Sequence, residues 1–141
     1  MKPWCPRELG LTFQTNDGPV TALTGVTLDI KKGDFVSFIG PSGCGKTTFL
    51  RAIADLEKPT EGSILVNGMS PDEARRRRAY GYVFQAAALY PWRTIEKNIA
   101  LPLEIMGYPK RERKARIERV LDLVNLKGFG KKYPWQLSGG M

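Results

Sequence analysis

One short segment, Gly40-Pro41-Ser42-Gly43-Cys44-Gly45-Lys46-Thr47, restricts the fold of this chain more than any other. It satisfies the pattern G-x-x-x-x-G-K-[ST], and it stands where that pattern needs to stand. The apolar run Phe35 to Ile39 precedes it and reads as a strand buried on both faces; Phe49, Leu50, Ile53, Ala54 and Leu56 follow at helical spacing. The unit is strand, glycine loop, helix. Glycines let the loop curl with successive N–H groups turned inward, so a polyphosphate is cradled by backbone donors at a helix N-terminus, where the dipole adds about half a positive charge. Lys46 is then placed for the β- and γ-phosphates, the Thr47 hydroxyl for Mg²⁺, and Thr48, one position deeper, for the α-phosphate side. Cys44 occupies a variable position of the loop and reads as an incidental thiol, not a nucleophile.

Composition removes other chemistries. The 141 residues contain no histidine and two cysteines, Cys5 and Cys44, so there is no Ser-His-Asp set, no His-ligated metal and no Cys-rich zinc site. No stretch approaches the roughly 18 consecutive apolar residues of a membrane span, and the first residues have no apolar run suited to secretion, so a cytoplasmic chain is expected. The formal charge of +8 comes from 22 Lys+Arg against 14 Asp+Glu. Much of the excess sits in Arg75 to Arg78 and in Lys110 to Arg119, both of which read as solvated helix faces before they read as nucleic-acid contacts.

Along the chain, Ala22 to Ile30 has strand character and Lys31-Lys32-Gly33-Asp34 is a turn. Ser63 to Val66 is a short strand closed by Asn67-Gly68, and Ser70-Pro71-Asp72-Glu73 is a capping box that predicts a short helix carrying Arg75 to Arg78. Tyr80 to Phe84 is aromatic and β-prone, which predicts another strand ending at Gln85. From there the pattern is helical: Thr94 caps a helix running to about Met106 with a kink at Pro102 and a stop at Gly107. Pro109 opens a second helix with the stripe Ile117, Val120, Leu121, Val124. Tyr90 and Trp92, between Gln85 and the first of these helices, suit either a core or a partner-facing aromatic patch.

Three more features accompany the phosphate loop: Leu137-Ser138-Gly139-Gly140-Met141 at the end of the chain, Gln85 after its predicted strand, and Phe13 upstream of the strand pair. Together with Gly40 to Thr48 they make the chain resemble, from about Leu11 to Met141, the nucleotide-binding subunit of ATP-binding cassette transporters. LSGGM stands as the signature motif, Gln85 as the Q-loop glutamine and Phe13 as the A-loop aromatic that stacks on adenine. The resemblance implies an α/β P-loop NTPase fold of the ABC type, incomplete, in which 1–90 form the ATP-binding core with A-loop, Walker A and Q-loop and 91–141 form a helical subdomain ending at the signature motif. It implies catalytic roles for Lys46 and Gln85, contacts to ATP from Phe13, Gly40, Pro41, Ser42, Gly43, Cys44, Gly45, Lys46, Thr47, Thr48, Ser138, Gly139 and Gly140, and contacts to Mg²⁺ from Thr47 and Gln85. The partners implied are a transmembrane permease, a second ATP-binding subunit as a homodimer, and indirectly an extracytoplasmic solute-binding protein, with the chain peripheral on the cytoplasmic face of the membrane. The methionine of LSGGM and Pro91-Trp92-Arg93 look most like the importer branch for nitrate, sulfonates, taurine and related small solutes.

Two parts of that machine are missing: four apolar residues followed by Asp-Glu, and a later switch histidine. Val26-Thr27-Leu28-Asp29 and Val120-Leu121-Asp122 fail by position. The expectation is an N-terminal fragment of a longer subunit that exposes apolar surface, dissolves poorly and does not turn over ATP alone. A non-transport relative acting on nucleic acid is the alternative. The Lys46 to Ser138 spacing, with no coiled-coil heptads between, argues against it, and no nucleic-acid partner is expected.

Overall fold

Apolar alternation makes a strand only where the backbone also finds a ladder partner, and three segments find one. The computed structural model describes residues 5–86 and 88–141. β1 (Cys5–Thr15) pairs antiparallel with β2 (Gly18–Val26) on one side and with β3 (Glu61–Leu65) on the other, in the order β2-β1-β3. Asn16 and Asp17 close the β1–β2 hairpin as a two-residue loop, and the Thr15 hydroxyl donates to the Gly18 carbonyl at 2.7 Å. Thr12 and Thr21 face each other across the hairpin with their hydroxyls 3.1 Å apart. β1 is not among the expected strands. Its signal is the alternation of Leu9, Leu11 and Phe13, and register shifts on either side of Leu11 interrupt its pairing with β2.

One face of this sheet is covered by α1 (Lys46–Ile53) and α2 (Pro71–Arg76). Leu9, Leu11, Leu23, Ile64 and Val66 meet Phe49, Ala52 and Ile53 of α1 and Ala74 of α2. Leu9, Leu11 and Val66 are fully enclosed, and side chains of this size contribute about 1.5–3 kcal/mol each when removed from water. Phe38 adds an edge-to-face contact on Phe49 with centroids 5.2 Å apart.

Two expected strands do not form. Phe35 to Ile39 carries no ladder, and Phe35 and Ile39 are 98% and 94% exposed; Tyr80 to Phe84 carries none either, and Val83 is 96% exposed. The reason is physical. Hydrophobicity and β-propensity qualify a segment for a sheet, but the ladder bonds come from a neighbour, and among the described residues no strand lies beside either run. The β2 pairing also stops at Val26, so Thr27 to Ile30 lies outside it.

The C-terminus of α1 turns through a Schellman pair, Leu56 N–H to Arg51 O at 2.9 Å and Asp55 N–H to Ala52 O at 3.2 Å. Asp55 holds the left-handed position, φ 54°, that usually goes to glycine. Its carboxylate is nearly enclosed, accepts from Arg75 Nε at 2.9 Å and pairs with Lys58. Arg75 also reaches Asp72 at 3.0 Å, and the Tyr80 hydroxyl donates to the Ala54 carbonyl at 2.6 Å. Three of the four arginines expected on a solvated face are thus ion-paired: Arg75 as described, Arg76 with Asp72 at 3.0 Å and Arg77 with Glu73 at 2.6 Å. Ser70 caps α2 as expected, its hydroxyl accepting from Glu73 N–H at 3.2 Å.

The chain divides into two compact units, Met1–Val83 and Phe84–Met141. The second is built on α3 (Ile95–Ile105) and α4 (Lys110–Leu123), with a 3-10 turn at Pro134–Gln136. Thr94 caps α3 through Lys97 N–H at 3.4 Å, Pro102 lies inside the helix and Gly107, φ 77°, follows its end, all as expected. Ile95, Ala100 and Leu121 are buried, while Glu104 bridges Arg93 at 3.2 Å and Arg113 at 3.1 Å. The basic face of α4 is solvated, with Arg116 over the Tyr108 ring at 4.4 Å. No helix among the described residues is long and apolar enough to cross a membrane.

The Asp55 corner yields a prediction. Burial opposes the charge of Asp55, but hydrogen bonds and charges from Lys58 and Arg75 outweigh it and hold the carboxyl below its usual range. A carboxyl lowered on folding stabilises the fold above the unfolded range, about pH 4, and that contribution is lost as pH falls below it. Asp55→Asn is expected to destabilise the chain by about 1–3 kcal/mol at pH 7 and to flatten the acid limb of its stability curve, measured by urea unfolding between pH 2 and 7.

Candidate nucleotide-binding site

The loop from Gly40 to Gly45 leads directly into α1, whose first intrahelical bond runs from Phe49 N–H to the Gly45 carbonyl at 2.8 Å. The N–H groups of Lys46, Thr47 and Thr48 therefore belong to the first turn and have no carbonyl four residues back. No side chain caps this end: the N-cap is Gly45, and no acidic residue stands in the first turn. A helix start with orphan donors, a positive dipole end and no anion of its own offers an anionic ligand what it needs.

Gly45 is obligatory here for two reasons. Its φ is 91°, and a Cβ would come within 2.6 Å of the Ala22 carbonyl oxygen and 2.8 Å of Leu23 Cδ2, so the loop passes too close to β2 for any side chain. This approach sets where α1 begins relative to the sheet. Lys46 folds back over the loop, donating from Nζ to the carbonyls of Gly40 at 2.8 Å and Pro41 at 2.7 Å, with Cys44 Sγ at 3.4 Å. Its ammonium thus lies beside the same backbone turn whose N–H groups are expected to receive phosphate. Ser42, Gly43, Cys44 and Thr47 are exposed and Thr48 is half-buried. The Thr47 hydroxyl is a hard oxygen donor of the kind Mg²⁺ takes when its other ligands are phosphate oxygens and waters, so the residues present fit a nucleotide-borne Mg²⁺. Among the described residues no cluster of three acidic, His or Cys side chains exists that would hold a metal by itself.

The remaining sequence-predicted residues are placed as follows. Phe13 lies on β1 opposite Val20, half-buried and packed against the core of the first unit, so part of its ring is committed to packing. Gln85 is exposed at the start of the second unit. Ser138, Gly139 and Gly140 are exposed at the other end of that unit, in a turn closed by Met141 N–H on the Ser138 carbonyl at 2.9 Å, and a Cβ at either glycine would meet open space. The structure thus gathers Gly40 to Thr48 in one loop and puts Gln85 and the Ser-Gly-Gly turn in the other unit. Tyr90 and Trp92 are exposed, Trp92 by 72%, with ring centroids 5.0 Å apart, which favours the surface patch over the core.

Sequence reasoning passed over Asn98. It is buried and holds the loop before α3, Oδ1 accepting from Tyr90 N–H and the two Nδ2 hydrogens shared among the carbonyls of Tyr90, Arg93 and Thr94. The available signal was an amide at a core-facing position of α3, one turn after the capping Thr94.

Comparisons with known proteins bear on the whole arrangement. The family model described as ABC transporter matches residues 23–141. The chain is 51% identical over 116 residues to the Fe(3+) ions import ATP-binding protein FbpC 2 of Rhizobium meliloti, covering 82% of this chain and 29% of that protein. It is 47% identical over 124 residues to the sulfate/thiosulfate import ATP-binding protein CysA of Synechocystis sp., covering 87% and 35%. Among solved structures, the dimeric post-hydrolysis state of the ATP-binding cassette MJ0796, bound to ADP and Pi, matches with a TM-score of 0.86 and 36% identity over 97% of this chain and 64% of that one. The chain spans less than half the length of the curated relatives it matches.

The approach of Gly45 to β2 predicts that Gly45→Ala costs about 2–4 kcal/mol, from a strained φ and a methyl driven into the Ala22 carbonyl, and that nucleotide binding falls with it. Chemical denaturation and nucleotide titration of the same variant check both halves.

Proposed function

Since the chain belongs to the ABC transporter family, we propose that it carries the nucleotide-binding portion of a subunit that hydrolyses ATP to drive solute import through a membrane permease. The observation that carries this reading is the loop Gly40 to Thr48: orphan N–H groups at a helix start, a lysine folded over the same turn, and no competing carboxylate. In this reading Lys46 and the loop backbone hold the phosphates of ATP, Thr47 supplies an oxygen to Mg²⁺, and Gln85 reaches Mg²⁺ and the attacking water. Phe13 offers the exposed part of its ring to adenine. Ser138, Gly139 and Gly140 act on the ATP of a second copy, as a turn with bare backbone donors allows. The name of the solved dimeric cassette supports a two-copy assembly.

The exposed pair Tyr90 and Trp92 is the contact to the permease, and the subunit sits on the cytoplasmic face of the membrane, with a solute-binding protein acting from the other side. No nucleic acid is required. The solute proposed is a small oxyanion or organic acid of the nitrate, sulfonate or taurine kind, on the strength of Met141 in the signature and Pro91-Trp92-Arg93. The relatives' names span iron and sulfate, so they support import in general and leave the solute to experiment.

Lys46→Ala is expected to weaken ATP binding by about 1.5–3 kcal/mol through loss of a charge-assisted contact, and unchanged affinity in a nucleotide titration would remove the phosphate-loop assignment. Gln85→Ala is expected to leave ATP affinity within about twofold and to uncouple hydrolysis from solute uptake in the assembled transporter, since a group on the metal and water acts mainly on the transition state. Normal solute-stimulated hydrolysis would contradict that role.

A further inference from the structure

The first turn of α3 is gripped from two directions. Asn98, the one buried polar residue among those described, accepts from Tyr90 N–H at Oδ1, 2.8 Å, and its Nδ2 lies 3.1, 3.0 and 3.1 Å from the carbonyls of Tyr90, Arg93 and Thr94. Tyr90 O also closes the turn Tyr90-Pro91-Trp92-Arg93 by accepting from Arg93 N–H at 3.1 Å. The loop carrying Trp92 is therefore bonded at both its ends to one amide side chain. On the same turn, Ile95 N–H donates to the Lys132 carbonyl and Glu96 N–H to the Gly130 carbonyl, each at 2.8 Å. Gly130 is buried, and a Cβ there would stand 3.3 Å from both Glu96 Oε2 and Leu121 Cδ1, so this strand of chain is seated closely against α3 and α4.

After Lys132 the chain forms a local hydrogen-bonded turn. Tyr133 N–H donates to Gln136 Oε1 at 2.8 Å, Gln136 N–H to the Tyr133 carbonyl at 2.9 Å, and Leu137 N–H to the Pro134 carbonyl at 3.2 Å, while Tyr133 and Trp135 stack with centroids 6.0 Å apart. The next residues are Ser138, Gly139 and Gly140. Because Asn98 is buried, breaking any of these bonds leaves a donor or acceptor of its amide without solvent to replace the partner.

We propose that Asn98 is a positioning residue that joins the loop 90–94 and the segment 130–137 into one body through the first turn of α3, so that displacing the loop moves the Ser138-Gly139-Gly140 turn with it. The functional meaning rests on the loop being the permease contact and the turn a phosphate contact, as proposed above; the linkage itself is tested with neither ligand nor permease, so the two can fail separately.

Hydrogen exchange on the 141-residue chain reads the linkage. In N98A, amides of 90–94 and also of 132–141 are expected to exchange about tenfold faster, the effect of losing one or two hydrogen bonds, while amides of α4 keep their protection. Acceleration confined to 90–98 would make Asn98 a local clip and overturn the proposal. Acceleration spreading through α4 would make it a general stabiliser and overturn it equally. A second variant, N98D, keeps the acceptor but has no donor at neutral pH. With Trp4 and Trp92 replaced by phenylalanine, the emission of Trp135 in N98D is expected to differ from that of the parent at pH 7 and to return to it as acid protonates the introduced carboxyl and restores an O–H donor. Emission that ignores the substitution, or that fails to return in acid, would overturn the coupling.

Discussion

A helix cannot bond its own first N–H groups, and the first unit is arranged so that those of α1 stay unsatisfied by protein. Everything around that helix start follows from the constraint. The loop must turn sharply enough to leave Lys46, Thr47 and Thr48 uncapped, so a glycine precedes them. The loop must also be held against the sheet, and the absence of a Cβ at Gly45 lets it lie on the Ala22 carbonyl. The core under α1, from Leu9 to Ala74, then supplies the rigidity that a side chain at the cap would otherwise have given. A cradle made of backbone has fixed geometry only if the elements carrying it are fixed.

The start of α3 in the second unit is the opposite case. Its N–H groups are taken by the carbonyls of Gly130 and Lys132, Thr94 caps it, and Asn98 fills the carbonyls of the preceding loop. One helix start is kept hungry for an anion and the other is saturated. The difference lies in which residues precede each helix: glycine and a proline-containing loop before α1, threonine and an aromatic turn before α3.

What was legible in the sequence was local. The helix start after the glycine loop, the caps at Ser70 and Thr94, and the stop at Gly107 are each decided by residues within a few positions of one another, and all stand as read. What was not legible depended on a partner distant in the chain. Phe35 to Ile39 and Tyr80 to Phe84 have the composition of strands, yet pairing is a property of two segments, and theirs is missing among the described residues. The same holds in reverse for β1, whose interrupted alternation concealed a strand that pairs on both edges. Asn98 escaped notice because its value lies in carbonyls, which a sequence does not advertise. The ion pair of Arg75 escaped because its acceptor Asp55 lies at the end of another helix.

The corner at Asp55 has a consequence for ionic conditions. A glycine at that left-handed position would anchor the end of α1 by backbone geometry alone, indifferent to the medium. Here the same backbone turn is joined by a carboxylate facing a lysine and an arginine whose own side chains are largely in solvent. Counterions screen such partners, while strongly hydrated salts tighten the burial of Leu9, Phe49 and Val66. The two ends of α1 therefore draw on different forces: van der Waals approach at Gly45 sets the phosphate-facing end, while at the far end charge adds to backbone bonds and burial, and salt weakens that added part alone.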